Sequence, residues 1–139
     1  MSATSGITVG WSASIERTFS EADVAAFATL TGDDNPLHLD PDYAARTRFG
    51  TPIVHGLLAA GLFGTLIGTR VPGPGAIYLS QSLRFLRPVR PGQPVTARVE
   101  VTHVRDDRPI LTLATTVTDA GGELVLSGEA VVLVEPPAG

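Results

Sequence analysis

The spacing of hydrophobic positions changes part way along this chain, from a helical period to a period of two. In the first half, Ser20-Glu21-Ala22-Asp23 places a carboxylate three residues after a capping hydroxyl. Val24, Phe27 and Leu30 follow at helical spacing, which predicts a helix from about Glu21 to Thr31. Gly32-Asp33-Asp34-Asn35-Pro36 reads as a turn or loop, because Asn and Asp tolerate unusual backbone angles and proline stops a helix. Asp40-Pro41 supplies a cap and a first-turn proline for a short helix, Asp42 to Thr47. A longer helix is expected from about Val54 to Arg70, stopped by Pro72-Gly73-Pro74-Gly75. Its Leu57, Leu58, Leu62, Phe63, Leu66 and Ile67 cover most of the circumference, the pattern of a helix buried on nearly all sides. Ala60, Gly64 and Gly68 form a smooth face that another backbone can approach.

From residue 76 onward the alternation argues strand. Ile77, Leu79, Leu83 and Phe85 share one face of a first such strand, and Val95, Ala97, Val99 and Val101 one face of the next. Leu111, Leu113 and Val117 alternate with Thr112, Ala114 and Thr116, and Leu124 to Val134 closes the run. Arg87 to Pro94, Asp106 to Pro109 and Asp119 to Gly122 have turn chemistry. With a strand near Ser12 to Thr18, the expected class is α+β: a long antiparallel sheet curling around the buried helix.

At 139 residues, 43% of them hydrophobic and 17% charged, the chain suits one packed domain, with a core from about 12 to 134 and short flexible termini. Ten basic against fourteen acidic residues leave a net charge of −4 and no basic stripe for a phosphate backbone, so no nucleic-acid partner is expected. All the basic residues are arginine, which removes Schiff-base chemistry and a P-loop lysine. The lack of cysteine removes thiol nucleophiles, disulfides and thiolate-bound zinc. The first residues lack a basic and an apolar region of the secretory kind, and the expected location is cytoplasmic. Polar residues and glycines interrupt Ile53 to Val71 before it reaches the roughly 20 apolar residues of a membrane span, so no membrane partner is expected.

Candidate chemistry lies in two segments, Thr31 to Asp40 and Gly50 to Gly56. A folded-back loop brings the Asp33 carboxylate and the His38 imidazole to one water, the pair needed to add or remove water beside a carbonyl; the spacing equally suits an Asx-capped turn with an exposed His. Metal ligation by Asp33, Asp34, His38 and Asp40 is disfavoured, because the histidines are scattered and show no ligand spacing. Gly56, at the start of the long helix, offers a backbone N–H to a developing oxyanion, or is simply a helix-start glycine. His55 beside it is a candidate for site support or for tying down the loop before it. Gln81, on the apolar face of its strand, needs hydrogen-bond partners, which the loop carrying Asp33, the neighbouring helix or the substrate would supply. Arg84, Arg87 and Arg90 suit a phosphate or, better, a solvated or inter-subunit charge cluster, and His103 reads as ordinary surface.

Thr31-Gly-Asp-Asp-Asn-Pro-Leu-His-Leu-Asp-Pro41, then Gly50-Thr-Pro-Ile-Val-His-Gly56 and Tyr78-Leu-Ser-Gln-Ser-Leu-Arg-Phe-Leu-Arg-Pro-Val89, closely resemble the MaoC-like (R)-specific enoyl-CoA hydratases. The resemblance runs from Phe19 to Val134 and implies a single hot-dog fold, a curved antiparallel sheet wrapped around a central helix, working as a homodimer. It implies that Asp33 and His38 hold and activate water while the Gly56 N–H polarises the thioester carbonyl, with Asn35, His55 and Gln81 as candidate supports. Some relatives carry a hydroxyl residue where this chain has Gly64, which with Ile67 is the candidate lining of an acyl pocket for short to medium chains. The implied reaction is reversible hydro-lyase chemistry on an acyl-CoA, with no cofactor and no metal. The alternatives are a dehydratase of carrier-protein thioesters, a hot-dog thioesterase, and a non-catalytic subunit that binds acyl thioesters.

Overall fold

The computed structural model describes residues 3–138. Ten elements follow in order: β1 (Ser12–Thr18), α1 (Glu21–Thr31), α2 (Pro36–Leu39), α3 (Pro41–Ala45), α4 (Gly56–Thr69), β2 (Ala76–Gln81), β3 (Arg84–Phe85), β4 (Pro94–Val104), β5 (Ile110–Asp119) and β6 (Leu124–Val134). The strands form one antiparallel sheet in the order β1-β4-β5-β6-β2, and β3 also pairs with β6. The sheet is curved and α4 lies against one of its faces, the expected hot-dog arrangement.

Alternation decides which side of each strand is dry. Val95, Ala97, Val99 and Val101 of β4, with Leu111, Leu113 and Val117 of β5, are buried as their period requires. Ala59, Leu62, Phe63, Leu66 and Ile67 of α4 pack on them, each large side chain contributing roughly 1.5–3 kcal/mol by leaving water. The buried Val54 hydrogen-bonds Val89 (2.7 Å) and anchors the chain entering α4.

α1 matches its sequence signal. The Ser20 hydroxyl accepts from the Asp23 amide (3.1 Å) and the Asp23 carboxylate accepts from the Ser20 amide (2.9 Å). That amide, followed by the Ser20 hydroxyl, holds the Asp23 carboxyl below the usual carboxylate range. The short third helix is Pro41–Ala45 rather than Asp42 to Thr47.

Three expectations about α4 and the following strand need correction. The sheet covers only one side of α4: Leu57 is 62% exposed, and Gly61, Thr65 and Gly68 are also open to solvent. Among the described residues no backbone approaches the small-residue face either. A β-carbon on Gly68 would meet nothing within 4 Å, and one on Gly64 only the Tyr78 ring, at 4.0 Å. The strand expected through Ile77, Leu79, Leu83 and Phe85 is broken. A register shift between Tyr78 and Ser80 and the gap between β2 and β3 disrupt its alternation, and Ile77, Leu79 and Phe85 face solvent.

The segment before β1 is tied to the sheet. Gly10 donates to the Val101 carbonyl and Val101 donates to the Trp11 carbonyl, both at 2.8 Å, and Ile7 packs against the core. Of the termini expected to be flexible, residues 1, 2 and 139 lie outside the described residues. Among the described residues no helix is long and apolar enough to cross a membrane.

Candidate active site

The site is assembled by the ends of helices. α1 stops at Gly32, whose φ of 78° reverses the chain, and the Asp33 amide then donates to the Thr31 hydroxyl at 3.2 Å. The stretch after it is not all loop, because Pro36–Leu39 forms α2. The Asn35 side chain accepts from the Leu37 amide (3.1 Å) and caps this turn, while the Asn35 amide reaches the Asp33 carboxylate at 3.4 Å. Asn35 therefore supports both neighbours, orienting the helix that carries His38 and contacting Asp33. Asp40, weighed as a metal ligand, caps α3 by accepting from the Asp42 and Tyr43 amides (3.0 and 3.3 Å).

His38 Nδ1 lies 2.7 Å from the carbonyl oxygen of Ile53. A carbonyl only accepts, so Nδ1 carries the proton and Nε2 of the neutral ring is left as an acceptor. His55, immediately before α4 and 2% exposed, directs Nε2 at the Asp33 carbonyl (3.1 Å) and lies 3.8 Å from the Asp33 carboxylate. The two imidazoles stack with centroids 3.8 Å apart and planes 25° from parallel. Histidines scattered along the chain thus meet in space, and Asp33, His38 and His55 bring one ligand atom each within 4.8 Å of one another. Asp34 lies outside this cluster, in a groove with Ala25, Ala28 and Leu39.

Asp33, His38, His55 and Gly56 line one cavity of about 320 Å³ together with Arg48, Phe49, Phe85 and Leu86. Gly56 is the first residue of α4, where amides lack intrahelical acceptors and the helix dipole is positive. The Phe85 ring occupies the place a Gly56 side chain would take, so glycine permits the contact between β3 and the helix start. Phe85, Leu86, Phe49 and Arg48 are lining residues that the sequence reading did not identify. Their one available signal was position, beside the Pro-Ile-Val-His-Gly and Arg-Pro-Val segments.

Of the other candidates, Arg87 also lines this cavity, whereas Gln81 and Arg90 lie away from it. Gln81 reaches neither the Asp33 loop nor a helix. It donates to Thr115 Oγ1 (2.9 Å) and the Ser82 carbonyl (2.8 Å) and accepts from Tyr78 (2.7 Å), because the register shift turns it across the sheet. Burial pushes the Tyr78 hydroxyl up to about 12. Arg90 clamps the loop before α4 through Thr51 Oγ1 (3.0 Å) and the Phe49 carbonyl (2.9 Å) instead of joining a charge cluster, and Arg87 pairs with Glu123 at 3.4 Å. Along α4 the cavity reaches Leu57 and Ala59; Gly64 lies further along the helix and Ile67 is in the core.

Comparison with known proteins agrees with this geometry. Residues 6–121 match the model of the MaoC like domain. The chain is 56% identical over 124 residues to the (R)-specific enoyl-CoA hydratase of Aeromonas caviae, covering 89% of this chain and 92% of that protein. It is 50% identical over 125 residues to the enzyme of the same name from Rhodospirillum rubrum, covering 90% and 86%. A solved structure described as the (R)-hydratase from A. caviae involved in PHA biosynthesis superposes with a TM-score of 0.90 at 53% identity, covering 93% of this chain and 98% of that one. Fold, matched segment and identity across nearly the whole length agree, and the chain belongs to the MaoC-like domain family.

Proposed function

We propose that this protein catalyses the reversible, (R)-specific hydration of trans-2-enoyl-CoA to (R)-3-hydroxyacyl-CoA, a hydro-lyase reaction. The observation that carries the reading is one cavity that holds a carboxylate, an imidazole with a free Nε2 and a helix start. The kinship with (R)-specific hydratases supports it.

Water held between Asp33 and His38 loses a proton to the pair as its oxygen bonds to C3. The C2=C3 electrons move toward the thioester carbonyl, and the enolate-like species takes a proton at C2 from the pair, which returns the one received from water. The Gly56 N–H, at the positive end of α4, faces the oxygen on which charge accumulates, where a placed donor contributes a few kcal/mol. No electron transfer enters the balance, and coenzyme A is substrate. The cavity of about 320 Å³ is at the small end for ligand sites, which supports short to medium acyl chains. Crotonyl-CoA tests the reaction. Loss of the enoyl absorbance without release of free thiol is the expected result, whereas thiol release identifies a thioesterase and no reaction a binding subunit. Faster turnover of the carrier-protein thioester than of the CoA ester identifies the carrier-protein dehydratase.

The assembly is a homodimer in this reading, and the compartment the cytoplasm, with fatty acid metabolism as the setting. β1 and β2 are free sheet edges, and Leu79, Phe85, Leu86 and Leu57 are exposed apolar side chains along β2, β3 and α4. Light scattering is expected to return a dimer mass. A fully active monomer overturns this part of the reading.

The acyl chain is proposed to run along α4 toward Gly64 and Ile67. Gly64→Val has room, since a β-carbon there meets only the Tyr78 ring at 4.0 Å. The expected result is a selective loss of activity on an eight-carbon enoyl-CoA relative to a four-carbon one, with an unchanged melting temperature. Equal loss on both substrates removes Gly64 from the acyl channel.

A further inference from the structure

His55 is almost wholly buried, yet its Nδ1 is the one buried side-chain nitrogen or oxygen without a hydrogen-bond partner among the described residues. Because the carbonyl of Asp33 only accepts, His55 Nε2 is the donor in that bond, and Nδ1 is left without a partner. The side chain precedes α4 but makes no cap hydrogen bond to it. An imidazole that caps no helix and leaves one of its two ring nitrogens without a partner is costly to bury, and an apolar side chain of similar size avoids that cost. What it provides is contact with both halves of the site: Asp33, in the turn after α1, through Nε2, and His38 of α2 through the stacked ring. Phe27 of α1 packs against His55 with ring centroids 4.7 Å apart and holds its plane.

We propose that His55 is a positioning residue for the water-activating pair: its N–H fixes the Asp33 backbone, and its ring fixes the plane of His38 so that His38 Nε2 faces the cavity. The proposal rests on the reading that Asp33 and His38 carry the hydration.

Two substitutions separate the contacts. His55→Gln retains an amide donor directed at the Asp33 carbonyl and removes the ring; His55→Phe retains the ring and removes the donor. Each is expected to lower kcat on crotonyl-CoA by about tenfold or more with KM changed less than about threefold, because small misplacements of reacting groups act on the chemical step. In protein with ¹⁵N-labelled histidine, His38 is expected to show one tautomer, Nδ1–H, in the parent and in His55→Phe, and a mixture in His55→Gln. A lowered melting temperature with kcat and the His38 nitrogen spectrum unchanged makes His55 a packing residue and overturns the proposal. If His55→Gln does not fold, parental kcat in His55→Phe overturns the clamp on Asp33. The nitrogen spectrum does not depend on turnover. A parent inactive on crotonyl-CoA whose His38 still changes tautomer in His55→Gln therefore sinks the hydratase reading and leaves the positioning role standing.

Discussion

Asp33→Asn and His38→Asn are each expected to lower hydration of a trans-2-enoyl-CoA by at least about a hundredfold, the lower range for loss of a general acid or base. Both substitutions keep most of the local structure. The Asp33 contact to His55 runs through its backbone carbonyl, which Asn retains. An Asn at 38 places an amide nitrogen close to where Nδ1 donates to the Ile53 carbonyl, so the tie at 2.7 Å is largely preserved while the free ring nitrogen is lost. Melting temperatures should therefore stay near the parental value. Asp34→Asn is the control: Asp34 lies in the groove between α1 and α2, away from the cavity, and its substitution should leave turnover within about threefold of the parent. Steady-state kinetics on crotonyl-CoA check all three. Near-parental turnover in Asp33→Asn or His38→Asn removes that residue from the mechanism, and a large loss in Asp34→Asn makes Asp34 the reacting carboxylate.

The elements most legible in the sequence are those whose signal is local and repeated. The Ser20–Asp23 capping box and the spacing of Val24, Phe27 and Leu30 place α1 correctly, and strict alternation places β4 and β5. Asp33 and His38 are conspicuous because proline and asparagine between them force a tight path, and both line the same cavity. α2 escapes notice because a four-residue helix has no period to detect; only its Asn35 cap and Pro36 announce it. The β2 bulge escapes for a different reason. Ile77, Leu79 and Phe85 look like one apolar face, but a register shift is set by pairing with β6, which local pattern does not contain. The His38–His55 stack depends on two chain segments being brought together by Ile53, Leu37 and Asp33 carbonyls, so the sequence shows two separate histidines and the fold shows a pair. Gln81 is misread for the same reason as the bulge that turns it: its partner Thr115 lies on β5, and nothing near Gln81 in sequence points there.

Gly128→Ala is expected to be the most destabilising conservative change outside the hydrophobic core. A β-carbon at Gly128, on β6, would fall on the carbonyl oxygen of Ser82 and lie 2.8 Å from its carbonyl carbon, in the backbone that joins β2 to β3. Backbone cannot swing aside as a long side chain does, and this stretch is held on both sides. The Ser82 amide donates to the Glu129 carbonyl, the Glu129 amide donates to the Ser82 hydroxyl (both 2.9 Å), and the Gln81 side chain donates to the Ser82 carbonyl at 2.8 Å. Relieving the collision therefore strains or breaks that set of bonds. Overpacking of this kind costs roughly 1–3 kcal/mol and more when backbone must move, which for a chain of this size corresponds to a fall in melting temperature of roughly 5 °C or more. The displacement also reaches the cavity, because the moved segment leads into β3 and Phe85 lies against Gly56. Activity per folded molecule should fall along with stability. Thermal unfolding and crotonyl-CoA turnover of Gly128→Ala, compared with Ser82→Ala, check the argument. Ser82→Ala removes only the hydroxyl acceptor and should cost roughly 1 kcal/mol. If Gly128→Ala melts at the parental temperature, the connection between β2 and β3 moves freely and does not hold Phe85 in place.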